Sequence, residues 1–357
     1  MSKMQLAALV VVIGALTVAP MVISEYNLSL LGRFLALGVL AVGLSLLWGH
    51  AGILSLGQGL FFGLGGYALA MHLKLVADGL PDFMVWNGLA APPWWWLPFQ
   101  SPIFTLAVVL VLPGAFAGFL GWLFFRRRIT GVYIALITQA LALGFATLVI
   151  SQQGTTGGFN GLTNFKTFFG LNLYEPGMKL ALYWVTVAIL TASYLATRWL
   201  THSHTGKLLV AIRDGENRVR FLGYDPAVYK AFAFGYAGFL AGVSGALYTL
   251  HLGVISPLII GVVPSIEMVI GVAAGGREVL SGAIAGTVLI GLAKDRISSA
   301  FPDAWLYVMG AMFILVVTVM PAGLGGVLRG IRFRGPWHMI STKRPPVEVV
   351  EQTPRLG

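Results

Sequence analysis

Apolar runs about 20 residues long, separated by shorter polar stretches, recur along almost the whole chain. They fall near residues 5–24, 31–48, 53–73, 101–125, 131–150, 179–200, 230–250, 260–275, 279–298 and 304–321. A hydrocarbon core about 30 Å thick takes about 20 apolar residues of helix, so the pattern predicts about ten transmembrane helices. Barrel strands would read as alternating segments of about ten residues. These runs are continuous and longer, and the fold class is all-α, a polytopic bundle over residues 1–329. The eighth run is short and holds Pro264, so it reads either as a full crossing or as a re-entrant segment. The polar remainder comprises a loop at 74–100 ending near APPWWWLP, a loop at 151–179 containing GTTGGFNGLTNF, a charged segment at 205–230, and a Pro-rich tail at 330–357 whose composition predicts disorder.

Composition agrees: 57% of residues are hydrophobic and only 10% charged, far from the roughly one quarter charged in soluble domains. Charge then orients the bundle. With both termini on the cytoplasmic side, 17 of the 23 Lys and Arg residues collect there, and Arg33, Lys74, Lys166, Lys179, Lys294 and Arg296 face outward. Cytoplasmic loops of membrane proteins carry such an excess. The net charge of +10 lies in loops flanking the spans rather than on one basic face, which favours anionic lipid heads or a cytoplasmic partner over nucleic acid. The absence of cysteine excludes disulfides, a thiol nucleophile and a Cys metal site. The first run, behind Lys3, lacks a small-residue cleavage pattern, and Pro20 follows Ala19 at the nearest candidate point. It is expected to be a retained span.

Many of the 46 glycines lie inside the runs, where they let helix backbones approach closely. GxxxG spacings join Gly59 to Gly63, Gly114 to Gly118, Gly238 to Gly242, Gly271 to Gly275 and Gly282 to Gly286. They imply packing within one chain or at a subunit interface. GQGLFFGLGGY follows no strand and is not a dinucleotide fingerprint. TGKL, at 205–208, lacks the first Gly and the final Ser or Thr of a phosphate loop, so ATP is not expected on this chain.

In the charged segment Leu208, Leu209, Ile212, Val219 and Leu222 recur near helical spacing among Arg213, Asp214, Glu216, Arg218 and Arg220. Gly215 interrupts them, which predicts two short helices and a bend. The segment is too polar to span. It can lie on the membrane surface or enter a partner's groove.

AIRDGENRVRFLGYDPAVYKAFAF, followed by AGFLAGVSGALY and GVISP, resembles the permeases of branched-chain amino-acid and urea ABC importers. ILSLGQGLFFGLGGYALAM, TGVYIALITQALAL, TGGFNGLTNF and PAGLGGVL continue the resemblance in order, over about residues 30–330. Within that family TGGFNGLTNFKTFFG, AAGGREVLSGAIAG and FPDAWLYVMGAMFILVV are most similar to the second permease subunit of the urea importer. Arg277 and Glu278 stand where amino-acid permeases usually carry a GlyGly-x-Gly pattern. The resemblance implies ATP-driven import. This chain and a second permease subunit would form the pathway, two ATP-binding cassette subunits holding ATP and Mg would dock below, and a periplasmic substrate-binding protein would deliver solute. Arg213, Asp214, Glu216, Arg218 and Arg220 would contact the ATPases; the chain itself would hold no cofactor, and its localisation would be the cell inner membrane.

Urea is neutral and rich in donors and acceptors, so its route needs amides, hydroxyls and backbone. An amino acid would call for groups complementary to carboxylate and ammonium. Gln58, Gln139, Ser265 and Glu267 are the polar intramembrane candidates for the pathway, Glu267 because an intramembrane carboxylate is costly unless paired or wetted. Asn160 and Asn164 are candidates for contact with the binding protein, and Trp94, Trp95 and Trp96 for an interfacial anchor. Urea is the first solute expectation and branched-chain or other amino acids the alternative, ahead of an ion-coupled secondary transporter. Six scattered His without metal spacing argue against a membrane enzyme.

Overall fold

The computed structural model describes residues 19–165, 167–168, 170–173, 175–301, 304–319 and 323. Among the described residues ten helices carry the architecture. They are α1 (Glu25–Leu44, running into a π turn at Ser45–His50), α2 (Gln58–Asp78), α3 (Pro102–Arg126), α4 (Val132–Ser151) and α5 (Pro176–His202). After them come α6 (His204–Phe221), α7 (Pro226–Leu252), α8 (Val262–Gly275), α9 (Leu280–Ala300) and α10 (Ala304–Val319). Six of these, α1 with its π turn, α2, α3, α4, α5 and α7, are long and apolar enough to cross a membrane unaided. The protein is an all-α, multi-pass membrane bundle.

Helix starts follow the local chemistry. Pro102, Pro176 and Pro226 open α3, α5 and α7, where the missing N–H costs nothing. Asp225 Oδ1 accepts the Ala227 N–H at 3.0 Å, and Ser203 Oγ accepts that of Gly206 at 3.4 Å, so the charged segment starts as a capped helix directly after α5. Pro264 falls in the first turn of α8 and does not break it. What shortens this span is the irregular chain before it: strand Val254–Ile255 pairs with Leu162–Thr163, and a single helical turn, Pro257–Ile260, precedes Gly261. At 14 residues, α8 is about 21 Å long, short of a full hydrocarbon crossing.

Helix α7 is the hub, packed along α1, α2 and α3. Its glycines set the distances. A Cβ on Gly242 would lie 2.3 Å from Pro113 Cγ of α3, and one on Gly245 would lie 1.9 Å from the Phe62 carbonyl oxygen of α2. Helices α8 and α9 interlock in the same way, since a Cβ on Gly275 would stand 1.9 Å from the Gly282 carbonyl oxygen and one on Gly286 would stand 2.4 Å from that of Gly271. All five GxxxG spacings meet neighbours inside this chain. Of the two roles the sequence left open, packing within the chain is the one the geometry displays.

Several expectations move. Arg33 is inside α1, two turns from its start, because that helix begins at Glu25 rather than near residue 31. Lys74 is buried within α2, and Lys179 is in the first turn of α5 with its Nζ 3.3 Å from Glu25. Lys74 and Lys179, at the edges of the predicted loops 74–100 and 151–179, both lie inside helices. Trp96 is fully buried against Phe83 and Trp95 while Trp94 is exposed, so only part of the Trp cluster can anchor at an interface. Leu222, expected as an apolar anchor, is 75% exposed because it lies past the last turn of α6. Most of the first predicted span and the tail at 330–357 lie outside the described residues.

Candidate functional site

Helix α6 bends at Gly215, whose φ of −175° and ψ of 73° interrupt the helix where the sequence predicts a break. Leu208, Leu209, Ile212 and Val219 are buried and fasten both halves to the bundle. Among these anchors the charged side chains form two bonded groups, one on Arg213 and one on Glu216. Arg213 Nε donates to Asp214 Oδ1 at 2.9 Å, and its Nη1 donates to Glu278 Oε1 at 3.2 Å and to the Gly49 carbonyl. Arg218 Nη2 donates to the Asp214 carbonyl at 3.1 Å. Glu216 accepts from Arg220 Nη2 at 3.0 Å and from Lys230 Nζ of α7 at 2.5 Å. Lys230 is buried, with its Nζ 5.7 Å from the Phe125 ring centroid. Gly52 makes the approach of Arg213 possible: its φ is +71° and a Cβ there would lie 2.7 Å from Arg213 Cγ. The five charged residues singled out from sequence are thus brought together. Past them the exposed Phe221 and Leu222 leave an apolar tip on a basic surface.

Arg213 ties this segment to two further elements. The Gly49 carbonyl belongs to the π turn ending α1, and Glu278 belongs to the turn joining α8 to α9. That turn is itself docked on α1: Ser45 Oγ donates to the Arg277 carbonyl at 2.7 Å, and the Arg277 guanidinium carbon lies 5.2 Å from the Trp48 ring centroid. Sequence reasoning treated Arg277 and Glu278 as a departure bearing on solute. They hold the α8–α9 turn to the charged segment and to α1.

Two helix starts meet deeper in the bundle. The Gly59 N–H at the start of α2 donates to Ser265 Oγ of α8 at 3.1 Å, and Ser265 Oγ donates to the Gly261 carbonyl at 2.9 Å. Thr138 of α4 accepts the Leu56 N–H at 3.2 Å. Gln58 is 1% exposed, and both its amide atoms are buried without a hydrogen-bond partner among the described residues. Gln58 and Ser265, two of the pathway candidates, therefore share one junction, and Gln139, partly buried, follows Thr138 beside it.

Glu267 lies elsewhere, two residues further along α8 and so on the opposite side of the helix from Ser265, on the wall of a cavity of about 430 Å³ between α1, α8, α9 and α10. Its carboxylate accepts Lys294 Nζ of α9 at 2.6 Å and Trp305 Nε1 of α10 at 2.8 Å. Only 15% of the Glu267 side chain is exposed, and pairing is what makes a carboxylate tolerable there. Arg33 and Asp295 line the same cavity with Leu30, Phe34 and Ile290. Arg33 and Trp305 are members that sequence reasoning missed; a lone Arg inside an apolar run was the available signal for the first. Asn160 and Asn164 are exposed and outside the cavity lining. Their loop is held by buried Leu162 and Phe165 and by pairing of Leu162–Thr163 with Val254–Ile255.

The chain matches the family model described as branched-chain amino acid transport system / permease component over residues 26–317. It is similar to the high-affinity branched-chain amino acid transport system permease protein LivM of Salmonella typhimurium, 25% identical over 346 residues covering 90% of this chain and 74% of that one. LivM of Escherichia coli is 25% identical over 310 residues, covering 80% and 67% of the two chains. The ribose import permease protein RbsC of Haemophilus influenzae is 21% identical over 228 residues, 62% and 69% of the respective chains. No solved structure matches the chain. With most of its length inside the family model, the helical bundle belongs to the permease components of the branched-chain amino acid transport system family.

Proposed function

We propose that this permease component imports amino acids across the inner membrane, driven by ATP hydrolysed on separate subunits. The observation that carries the coupling is the α8–α9 hairpin. At its turn, Glu278 is bonded to Arg213 of the charged segment; further along, Glu267 and Lys294 sit in the wall of the cavity. A push on α6 is thereby delivered to the two helices that shape the cavity, the kind of packed lever that domain transitions use. The positive-inside excess places α6 on the cytoplasmic face, where two ATP-binding cassette subunits would dock on Arg213, Asp214, Glu216, Arg218, Arg220 and the exposed Phe221. A periplasmic binding protein would meet the loop of Asn160 and Asn164, and a second permease subunit would complete the route.

Solute class rests on the cavity. Fixed charges of both signs beside apolar side chains complement a zwitterion with an apolar tail better than a neutral solute, and both LivM relatives are named for branched-chain amino acids. Urea, first in the sequence resemblance, becomes the second reading: Arg277 and Glu278, which favoured it, are engaged with Trp48 and Arg213 rather than with the cavity. The test is radiolabelled uptake into vesicles holding the chain with its membrane partner, ATPases and binding protein. ATP-dependent leucine uptake supports the proposal. Urea uptake uncompeted by leucine overturns the solute class, and uptake without ATP overturns the importer. Glu216→Lys is expected to unseat or uncouple the ATPases; normal association and transport in that variant would remove α6 from its role.

A further inference from the structure

Among the charges lining the cavity of about 430 Å³, two are already spent on each other, because Lys294 and Glu267 form a 2.6 Å ion pair that Trp305 completes. Two are not. Arg33 projects from α1 with its Nε buried and without an acceptor, and it makes no ion pair among the described residues. Asp295, partly buried on α9, likewise has no ion pair among them. Helices α1 and α9 are in direct contact beside these residues, where Gly291 lies against the Phe34 ring. One cavity of the size that small-molecule sites occupy therefore offers an unpaired guanidinium, an unpaired carboxylate and an apolar wall from Leu30, Phe34 and Ile290.

We infer that Arg33 receives the α-carboxylate of the transported amino acid and Asp295 its ammonium group, so that this pair sets selectivity for a zwitterion. The inference rests on the amino-acid reading of the cavity. An intramembrane cation is expensive and is retained where it serves a pathway. Arg rather than Lys suits the role, since its fork presents parallel donors matched to a carboxylate. The Glu267–Lys294–Trp305 set then acts as scaffold: its donors and acceptors are satisfied, and it holds α8, α9 and α10 around the solute.

The whole importer reconstituted in vesicles, with binding protein and internal ATP, tests the assignment using leucine and urea as probes. The wild-type arm decides the solute class first: import of urea alone defeats the amino-acid reading and this inference with it. Given leucine import, Arg33→Gln is expected to cut uptake about tenfold to a hundredfold, the range of one lost charged contact. Arg33→Lys should recover part of that loss, with subunit assembly unchanged in both. Asp295→Asn, at a partly exposed site, should raise the leucine KM by a similar factor. An assembled Arg33→Gln importer that moves leucine within about twofold of wild type overturns the carboxylate contact. If Arg33→Gln fails to assemble, Asp295→Asn decides: an unchanged KM there overturns the inference.

Discussion

Two glutamates at different depths solve the same problem in different ways. Glu267 in the cavity wall accepts from Lys294 and Trp305, partners on two other helices. Glu216 beside the bend of α6 accepts from Arg220, one turn along its own segment, and from Lys230 of α7. The first carboxylate is 15% exposed and the second 28%. With both its partners distant in sequence and little water beside it, Glu267 can release one only by leaving a charge unpaired in an apolar wall. Glu216 keeps a local partner and has more solvent, so its carboxylate stays satisfied if the distant bond breaks, and the cost falls on Lys230, whose side chain is only 10% exposed. The difference separates a carboxylate held only by other helices from one held first by its own segment and then by the buried lysine of a neighbour.

The sharpest way to break this comparison is Glu267→Gln. Removing one member of a buried pair costs about 3–5 kcal/mol. The Lys294 side chain is 42% exposed, so the loss should fall toward the lower end, about 3 kcal/mol. Thermal unfolding of the purified complex measures it, and adding Lys294→Met should recover part of the loss. If Glu267→Gln leaves melting unchanged, this pair is not what holds the wall.

A second contrast uses one substitution in both regions. In Gly275→Ala the new methyl meets the Gly282 carbonyl oxygen at 1.9 Å, backbone against backbone, and the helices must part at a cost of about 1–3 kcal/mol. In Gly215→Ala the methyl meets only the mobile end of Arg218, 2.5 Å from its Nε, and a φ of −175° is open to any residue. Its effect on stability should stay within about 0.5 kcal/mol. Equal melting shifts for the two variants would mean that the α8–α9 interlock is not what holds the wall.

These regions were not equally legible in the sequence. Period and composition located the helices, and one glycine among charged residues located the bend of α6, because those signals are local. Arg213, Asp214, Glu216, Arg218 and Arg220 lie within eight positions of one another, so one glance along the chain finds them. The cavity draws Arg33, Glu267, Asp295 and Trp305 from four helices spread over most of the sequence, and only packing brings them together. Arg33 was placed at the outer end of its run since hydropathy marks apolar runs rather than helix starts, and α1 starts at Glu25 through polar residues. The roles of Arg277 and Glu278 were equally hidden, for their partners Trp48 and Arg213 are distant in sequence.

A small expected change in stability comes with the most direct test of communication between the two regions. The Arg213–Glu278 pair is 3.2 Å long with side chains 29% and 55% exposed, and such pairs contribute about 0–1 kcal/mol. Glu278→Gln should therefore leave melting and subunit assembly nearly unchanged. Arg213 would keep Asp214 and the Gly49 carbonyl, so α6 would stay fastened to α1 but lose its charged hold on the α8–α9 turn. Residues along a coupling route shift coupling by about 0.5–2 kcal/mol, so solute moved per ATP hydrolysed should fall severalfold while ATP hydrolysis persists. High salt should mimic the variant in the wild type, because screening weakens a half-exposed pair, and should add little to the variant itself. Unchanged transport stoichiometry in Glu278→Gln would place the transmission in the contact between α6 and α1, leaving the α8–α9 turn as support alone.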